Sequence, residues 1–100
     1  LFRAPLGVTV RVLTDDDRKQ TKTPSGGVLV INVQPGPAAK SGLRAGDVVL
    51  QISGQEVDSV ERFAEVAGRL TPGQNVPLLV QRRGSPIFLA LDMPQRPQSK

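Results

Sequence analysis

The stretch GPAAKSGLRAGDVVLQISGQEV, residues 36–57, decides the fold that this sequence predicts. Pro37 suits the first turn of a helix, where its missing N–H costs nothing, and Gly42 suits the left-handed position that closes one. The helix between them is therefore very short. Val48–Ile52 has the composition of a mostly buried strand, and residues 53–55 form a turn signal. The stretch thus predicts a helical turn followed by a hairpin.

Four further segments have strand composition. They are residues 6–12, 28–33, 76–82 and 86–93, of which the last two form a hairpin around residues 83–85. In the first segment the alternation of apolar and other residues predicts one buried face, made of Leu6, Val8, Val10 and Val12.

A longer helix is predicted from Asp58, because Asp58 and Glu61 form a capping-box pattern and apolar residues then recur at helical spacing. Thr-Pro-Gly at residues 71–73 ends it. Gly68 inside this helix costs about 1 kcal/mol relative to Ala, a cost that close approach of another backbone would offset. Residues 13–27 are a polar connection in which residues 15–20 predict a helical turn.

These segments predict a mostly β fold with two helices, one short and one longer, as a partly open antiparallel barrel or sandwich of five to six strands. The 100 residues, 38 % of them hydrophobic, suit a single domain over residues 1–93. Residues 94–100 lack apolar anchors and are predicted to be a disordered tail. Because Leu1 replaces an initiator Met and no signal pattern follows, we expect the chain to be cut from a longer protein.

The composition excludes several classes of function. The chain has neither Cys nor His, so it holds no Cys/His metal site and no His-dependent nucleophile, and we expect no catalysis, metal or cofactor in this fragment. The acidic residues 15–17 lack calcium-loop spacing. The net charge of +4 is dispersed and only three Phe accompany it, which does not favour nucleic-acid binding. No apolar run approaches the ~20 residues that cross a bilayer, so no membrane insertion is expected.

The order Gly-Pro-Ala-Ala, Gly-Leu, Gly-Asp-Val-Val-Leu and a Gly turn resembles the PDZ domain in its bacterial protease-associated form, over nearly the whole chain. The resemblance implies a peptide-binding module. In PDZ domains, backbone N–H groups of a Gly-Leu-Gly-Phe-type loop bind the terminal carboxylate of a peptide. The matching residues are 5–8, and because Pro5 has no N–H, we expect the amides of Leu6, Gly7 and Val8 to bind the carboxylate.

The same resemblance implies that the peptide lies antiparallel to the strand through Thr9 and Val10, with alternate side chains facing the second helix. On that helix the family's groove positions match Val60, Ala64 and Ala67. Leu6, Val8 and the two Ala residues would enclose an aliphatic pocket for a terminal Val, Leu, Ile or Phe, and Arg3 could attract the carboxylate. The alternative is that these residues are ordinary core residues without a ligand.

Leu-Gly-Val-Thr-Val near the start, Gly-Val-Leu-Val at residues 27–30 and the short tail most resemble the second, C-terminal PDZ domain of HtrA (Do-type, MucD-like) bacterial serine proteases. That resemblance implies an upstream catalytic domain and a periplasmic or cell-envelope location. It also implies two kinds of partner: peptides or unfolded proteins with hydrophobic C-termini, and other domains or subunits of the protease. The alternatives are a PDZ domain of another envelope protease or secretion component, and an assembly domain without affinity for free peptides.

Overall fold

The computed structural model describes residues 2–4, 7–23, 26–71 and 73–93, and residues 2–4 by their backbone alone. The strands form one antiparallel sheet in the order β1-β2-β3-β4-β6-β7, and β5 pairs with β4. The elements in chain order are β1 Phe2–Ala4, β2 Val8–Arg11, α1 Asp15–Thr21, β3 Val28–Val33, α2 Pro37–Lys40, β4 Val48–Ile52, β5 Gln55–Glu56, α3 Val60–Gly68, β6 Asn75–Arg82 and β7 Ser85–Asp92.

The mostly β, antiparallel fold class is confirmed, with more elements than predicted. The described residues form seven strands and three helices, where the sequence predicts five to six strands and two helices. The extra strand is β1, three residues long, which precedes the first predicted strand. The extra helix is α1, which occupies the predicted helical turn. The predicted tail, residues 94–100, lies outside the described residues.

Helix α1 forms because its first turn carries a capping box. The Thr14 hydroxyl accepts a hydrogen bond from the Asp17 N–H at 3.1 Å, and the Asp17 carboxylate accepts one from the Thr14 N–H at 2.9 Å. The acidic cluster therefore lies at the helix N-terminus, where negative charge is favourable, rather than in an irregular loop.

The first predicted strand is shorter than expected. Its register against β3 shifts between Thr9 and Val10, and β2 ends at Arg11. Val12, predicted to share the buried face, is consequently 62 % exposed, and Leu13 is buried in its place.

The main core lies between the sheet and the helices α2 and α3. Strand residues, mainly valines, supply most of it, and the helices add Ala38, Phe63 and Val66. A smaller cluster of Leu13, Leu29 and Val48 lies apart from it.

The helix predicted from Asp58 begins one residue later than its capping pattern suggests. Ser59 is the N-cap, and its hydroxyl accepts from the Arg62 N–H at 3.0 Å. The close approach expected at Gly68 is absent, since a Cβ added there would meet nothing within 4 Å.

The last two strands form the predicted hairpin, with Arg83 and Gly84 at positive φ of 51° and 82° as a type I′ turn requires.

The fold-deciding stretch is held by an ion pair that the sequence interpretation missed. Asp47 is only 2 % exposed, and its carboxylate accepts hydrogen bonds from Arg82 Nε at 2.8 Å and Arg82 Nη2 at 2.7 Å. The same carboxylate accepts from the Arg44 N–H at 2.9 Å. Its hydrogen bond to Asp47 raises the pKa of the Arg82 guanidinium. Arg82 is therefore part of the scaffold, not one of the dispersed exposed cations.

Candidate functional site

The candidate site is the edge of β2 next to α3, called here the β2–α3 groove. Val8 and Val10 of β2 are 1 % and 0 % exposed and share the main core with Phe63 and Val66 of α3. Because their side chains are locked in the core, what β2 offers at its edge is its backbone N–H and C=O groups. The groove is therefore suited to pairing with an extended chain.

Gly7 lies in the segment that leads into β2 and has a left-handed backbone conformation. Gly7 has a φ of +88°, and its carbonyl oxygen accepts a hydrogen bond from the Gln34 N–H at 2.7 Å. A Cβ at this position would lie 3.4 Å from the Gln34 carbonyl oxygen, close to van der Waals contact, so it is the positive φ that disfavours a side chain. Leu6 and the Arg3 side chain lie outside the described residues.

The predicted groove residues on α3 differ in accessibility. Val60 and Ala64 are half-buried, whereas Ala67 is buried at 7 % exposed. Val8 and Ala67 thus belong to the interior wall, and Val60 and Ala64 remain accessible. Thr9 is half-buried on the opposite face of β2 from Val8. A small apolar cavity of about 20 Å³ lies among the core residues, and its lining includes Val8, Phe63 and Leu70.

The groove already contains a strand of the same chain. β1 pairs antiparallel with β2 in the register Phe2↔Val10, Arg3↔Thr9 and Ala4↔Val8, and it also contacts α3. The sequence interpretation missed β1. The sequence does contain a turn signal for this hairpin, because Pro5 and Gly7 lie between the two short segments and both residue types favour turns.

The far end of β2 is fixed by an ion pair to α1. Arg11 Nη1 donates to the Asp17 carboxylate at 2.7 Å. This hydrogen bond, with those from Thr14, holds the pKa of Asp17 below its usual value. Because Arg11 is paired with Asp17 of α1, its charge is not available to attract a ligand carboxylate in the groove.

A short helix leading into a hairpin, an antiparallel sheet and a groove between β2 and α3 together define a PDZ domain. A family model described as the PDZ domain matches residues 4–92, and the chain belongs to that family. In the described residues no helix is long and apolar enough to cross a membrane.

The curated relatives are proteases. The chain is 40 % identical over 88 residues to a "Probable periplasmic serine endoprotease DegP-like" of Hahella chejuensis, covering 88 % of this chain and 19 % of the relative. It is equally similar, at 40 % over 88 residues, to a protein of the same name from Pseudomonas fulva, of which it covers 18 %. The chain thus spans about a fifth of the length of these relatives.

Solved structures agree with the fold. "HtrA-type protease AlgW with decapeptide" superposes with a TM-score of 0.79 at 34 % identity, over 97 % of this chain and 30 % of that one. The HtrA3 PDZ domain bound to a phage-derived ligand, FGRWV, superposes with a TM-score of 0.72 over 87 % of this chain and 81 % of that one. At 19 % identity, the second likeness speaks for the fold alone.

Proposed function

We propose that this chain is a regulatory peptide-binding PDZ domain of an HtrA-type periplasmic serine protease, which binds peptides as an added strand in the β2–α3 groove. One observation carries the proposal: an extended segment, β1, pairs antiparallel with β2 and contacts α3. A peptide bound by strand addition requires the same edge, direction and neighbour. The identity to DegP-like proteases supports the protease and its location.

The carboxylate of the peptide would bind to the amides of Leu6, Gly7 and Val8. The positive φ of Gly7 supports this assignment, because it turns the backbone so that successive N–H groups can converge on one anion. Hydrogen bonds to a charged group contribute about 1.5–3 kcal/mol each, enough to distinguish a free C-terminus from an internal segment. Arg3 would add attraction to the same carboxylate.

The walls of the groove favour an apolar ligand. Of the predicted groove residues on α3, Val60 and Ala64 are the accessible ones, and neither can donate a hydrogen bond to a polar peptide side chain. Peptides would run along Thr9 and Val10, and small residues at Ala64 and Ala67 leave room for a terminal Val, Leu, Ile or Phe. The partners would be peptides and unfolded proteins with such C-termini.

The second candidate is an assembly domain that binds other domains or subunits and no free peptide. The occupied groove favours it, since β1 takes the edge of β2 that a peptide would need. The test must therefore measure directly whether the chain binds a free peptide.

The test is an NMR titration of the chain with short peptides that end in Val or Phe, each with a free or an amidated C-terminus. The peptide with the free C-terminus should shift the amides of Gly7, Val8 and α3, with a Kd on the order of micromolar, about −8 kcal/mol. Amidation should weaken binding. Unshifted signals, or equal affinity after amidation, would refute carboxylate recognition.

A matched pair of variants locates the binding. Ala64→Glu places a carboxylate in the groove, where it should repel the peptide carboxylate and lower the affinity at least about tenfold. Ala90→Glu makes the same change at an exposed position of β7, at the far end of the sheet, and should bind as the parent does. Equal affinities of the two variants would place the peptide elsewhere.

A further inference from the structure

We propose that Phe2–Ala4 is a built-in competitor for the β2–α3 groove, so that a peptide binds only when β1 is released. This inference rests on the proposed peptide-binding function and adds a regulation to it. The competitor is not a distant domain but the three residues that immediately precede the carboxylate-binding loop.

Both edges of β2 are already paired. One edge pairs with β3, in the register Val8↔Val33, Thr9↔Asn32 and Val10↔Val30. The other pairs with β1 along the same three residues of β2. Because a strand has only two edges, a peptide cannot pair with these residues while β1 remains in place.

β1 occupies the groove in the way that a bound peptide would. It runs antiparallel to β2 and contacts α3, the element that lines the other side of the groove. Its last residue, Ala4, lies opposite Val8, which is where a peptide would present its C-terminal residue to the loop. Phe2 and Ala4 take the register positions opposite Val10 and Val8, two residues apart.

β1 is suited to exchange with a peptide. Only three residue pairs hold it to β2, compared with eight between β6 and β7. A single short hairpin is marginally stable in water. The covalent link of only three residues, 5–7, compensates, because joining a competitor to its site over a short span gives an effective concentration on the order of millimolar. β1 can thus fill an empty groove and still leave it.

The covalent link also determines which ligands can displace β1. Ala4 continues into Pro5, so β1 ends in a peptide bond and has no terminal carboxylate to place against the loop amides. An internal segment of an unfolded protein lacks the carboxylate as well and gains only the strand pairing that β1 already supplies. A free C-terminus adds hydrogen bonds to a charged group, which are the stronger ones. The competitor lowers the affinity for every ligand by the same factor, so the tighter-binding free C-termini are the ligands that still displace it at a given concentration.

The test is a double variant, Phe2→Gly with Ala4→Gly, which lowers the strand propensity of β1 and leaves Arg3 and the loop unchanged. If β1 fills the groove nine times in ten, the parent binds every peptide about tenfold more weakly than the intrinsic affinity. The variant should recover this factor for the free and the amidated peptide alike. Phe88→Gly, which removes an aromatic residue 75 % exposed on β7, is the control and should match the parent.

The position of β1 is followed separately by proton–proton contacts between backbones paired in the register, Phe2 with Val10 and Ala4 with Val8. We expect these contacts in the free parent and their loss when the chain is saturated with peptide. Affinities of parent and variant within twofold of each other, or contacts that persist at saturation, would overturn the competitor and leave the proposed function intact. If neither protein binds any peptide, the proposed function fails, and this inference fails with it.

Discussion

Replacing Arg82 by Met should destabilise the domain strongly, although Arg82 is remote from the groove. The substitution removes two hydrogen bonds to Asp47, at 2.8 and 2.7 Å, and a third to the Gly42 carbonyl oxygen at 2.8 Å. The Asp47 side chain, 3 % exposed, would be left with the Arg44 N–H as its hydrogen-bond donor. The fold-deciding stretch would then contain a buried, poorly compensated carboxylate.

The magnitude follows from the burial of the two partners. Removing one member of a buried ion pair costs about 3–5 kcal/mol. The Arg82 side chain is 29 % exposed, so water can reach the site after the substitution and reduce the cost to about 2–3 kcal/mol. A domain of this kind has about 5–15 kcal/mol of stability in total, so the loss is a large share.

The free energy of unfolding is best measured by urea denaturation followed by far-UV circular dichroism, because the chain has neither Trp nor Tyr as a fluorescent probe. Arg83→Met, in the exposed turn beside Arg82, is the matched control and should change the stability by less than about 0.5 kcal/mol. A double-mutant cycle with Asp47→Asn isolates the pair, and we expect a coupling of at least about 1 kcal/mol. A loss below about 1 kcal/mol for Arg82→Met, or one equal to that of Arg83→Met, would refute the reasoning.

Three further substitutions test the scaffold by urea denaturation. Gly68→Ala should stabilise the domain by about 0.5–1 kcal/mol, since its helical position meets no neighbour, and an unchanged or lower stability would contradict this. Gly27→Ala should destabilise it by at least about 2 kcal/mol, because φ is +79° and the new Cβ would lie 2.5 Å from Val48 Cγ1; a tolerated Ala would show that the strands can shift there. Asp17→Asn keeps the cap acceptor and removes the charge that pairs with Arg11. Folding lowers the pKa of Asp17 from 3.8, so above that pH the ionised carboxylate makes the parent more stable than the variant. This difference in the free energy of unfolding disappears as the pH falls through the lowered pKa. A parent-to-variant difference that is the same at pH 7 and at about pH 2 would exclude this role.

Local signals predicted most of the fold. The stretch of residues 36–57 forms the expected short helix and hairpin, because Pro37, the turn residues and the apolar run each act on their immediate neighbours. The β6–β7 hairpin formed as predicted for the same reason. Within the site, Gly7 has a turn conformation and Val60 and Ala64 are half-buried on α3, whereas Ala67, predicted to line the groove with them, is buried.

Some features could not be read from the sequence. They depend on residues that are far apart in the chain, or on element boundaries that the local sequence pattern does not determine. Asp47 and Arg82 are 35 positions apart, and nothing in either neighbourhood indicates the other. Val12 is exposed because it lies beyond the end of β2 at Arg11, a boundary that the apolar alternation of residues 6–12 does not indicate. β1 has three residues, too few for a periodic pattern, so its pairing becomes visible only when the edge of β2 is in view.

The pairing of β1 has a thermodynamic consequence for the whole protein. Coupling between two binding events is reciprocal. If β1 in the groove lowers the affinity for a peptide by some factor, a bound peptide lowers the equilibrium constant for pairing of β1 with β2 by the same factor. Any contact that held Phe2–Ala4 elsewhere would therefore strengthen peptide binding, and a bound peptide would in turn release these residues for that contact. Through this linkage, three residues at the start of the domain would report the state of the groove to whatever lies next to them.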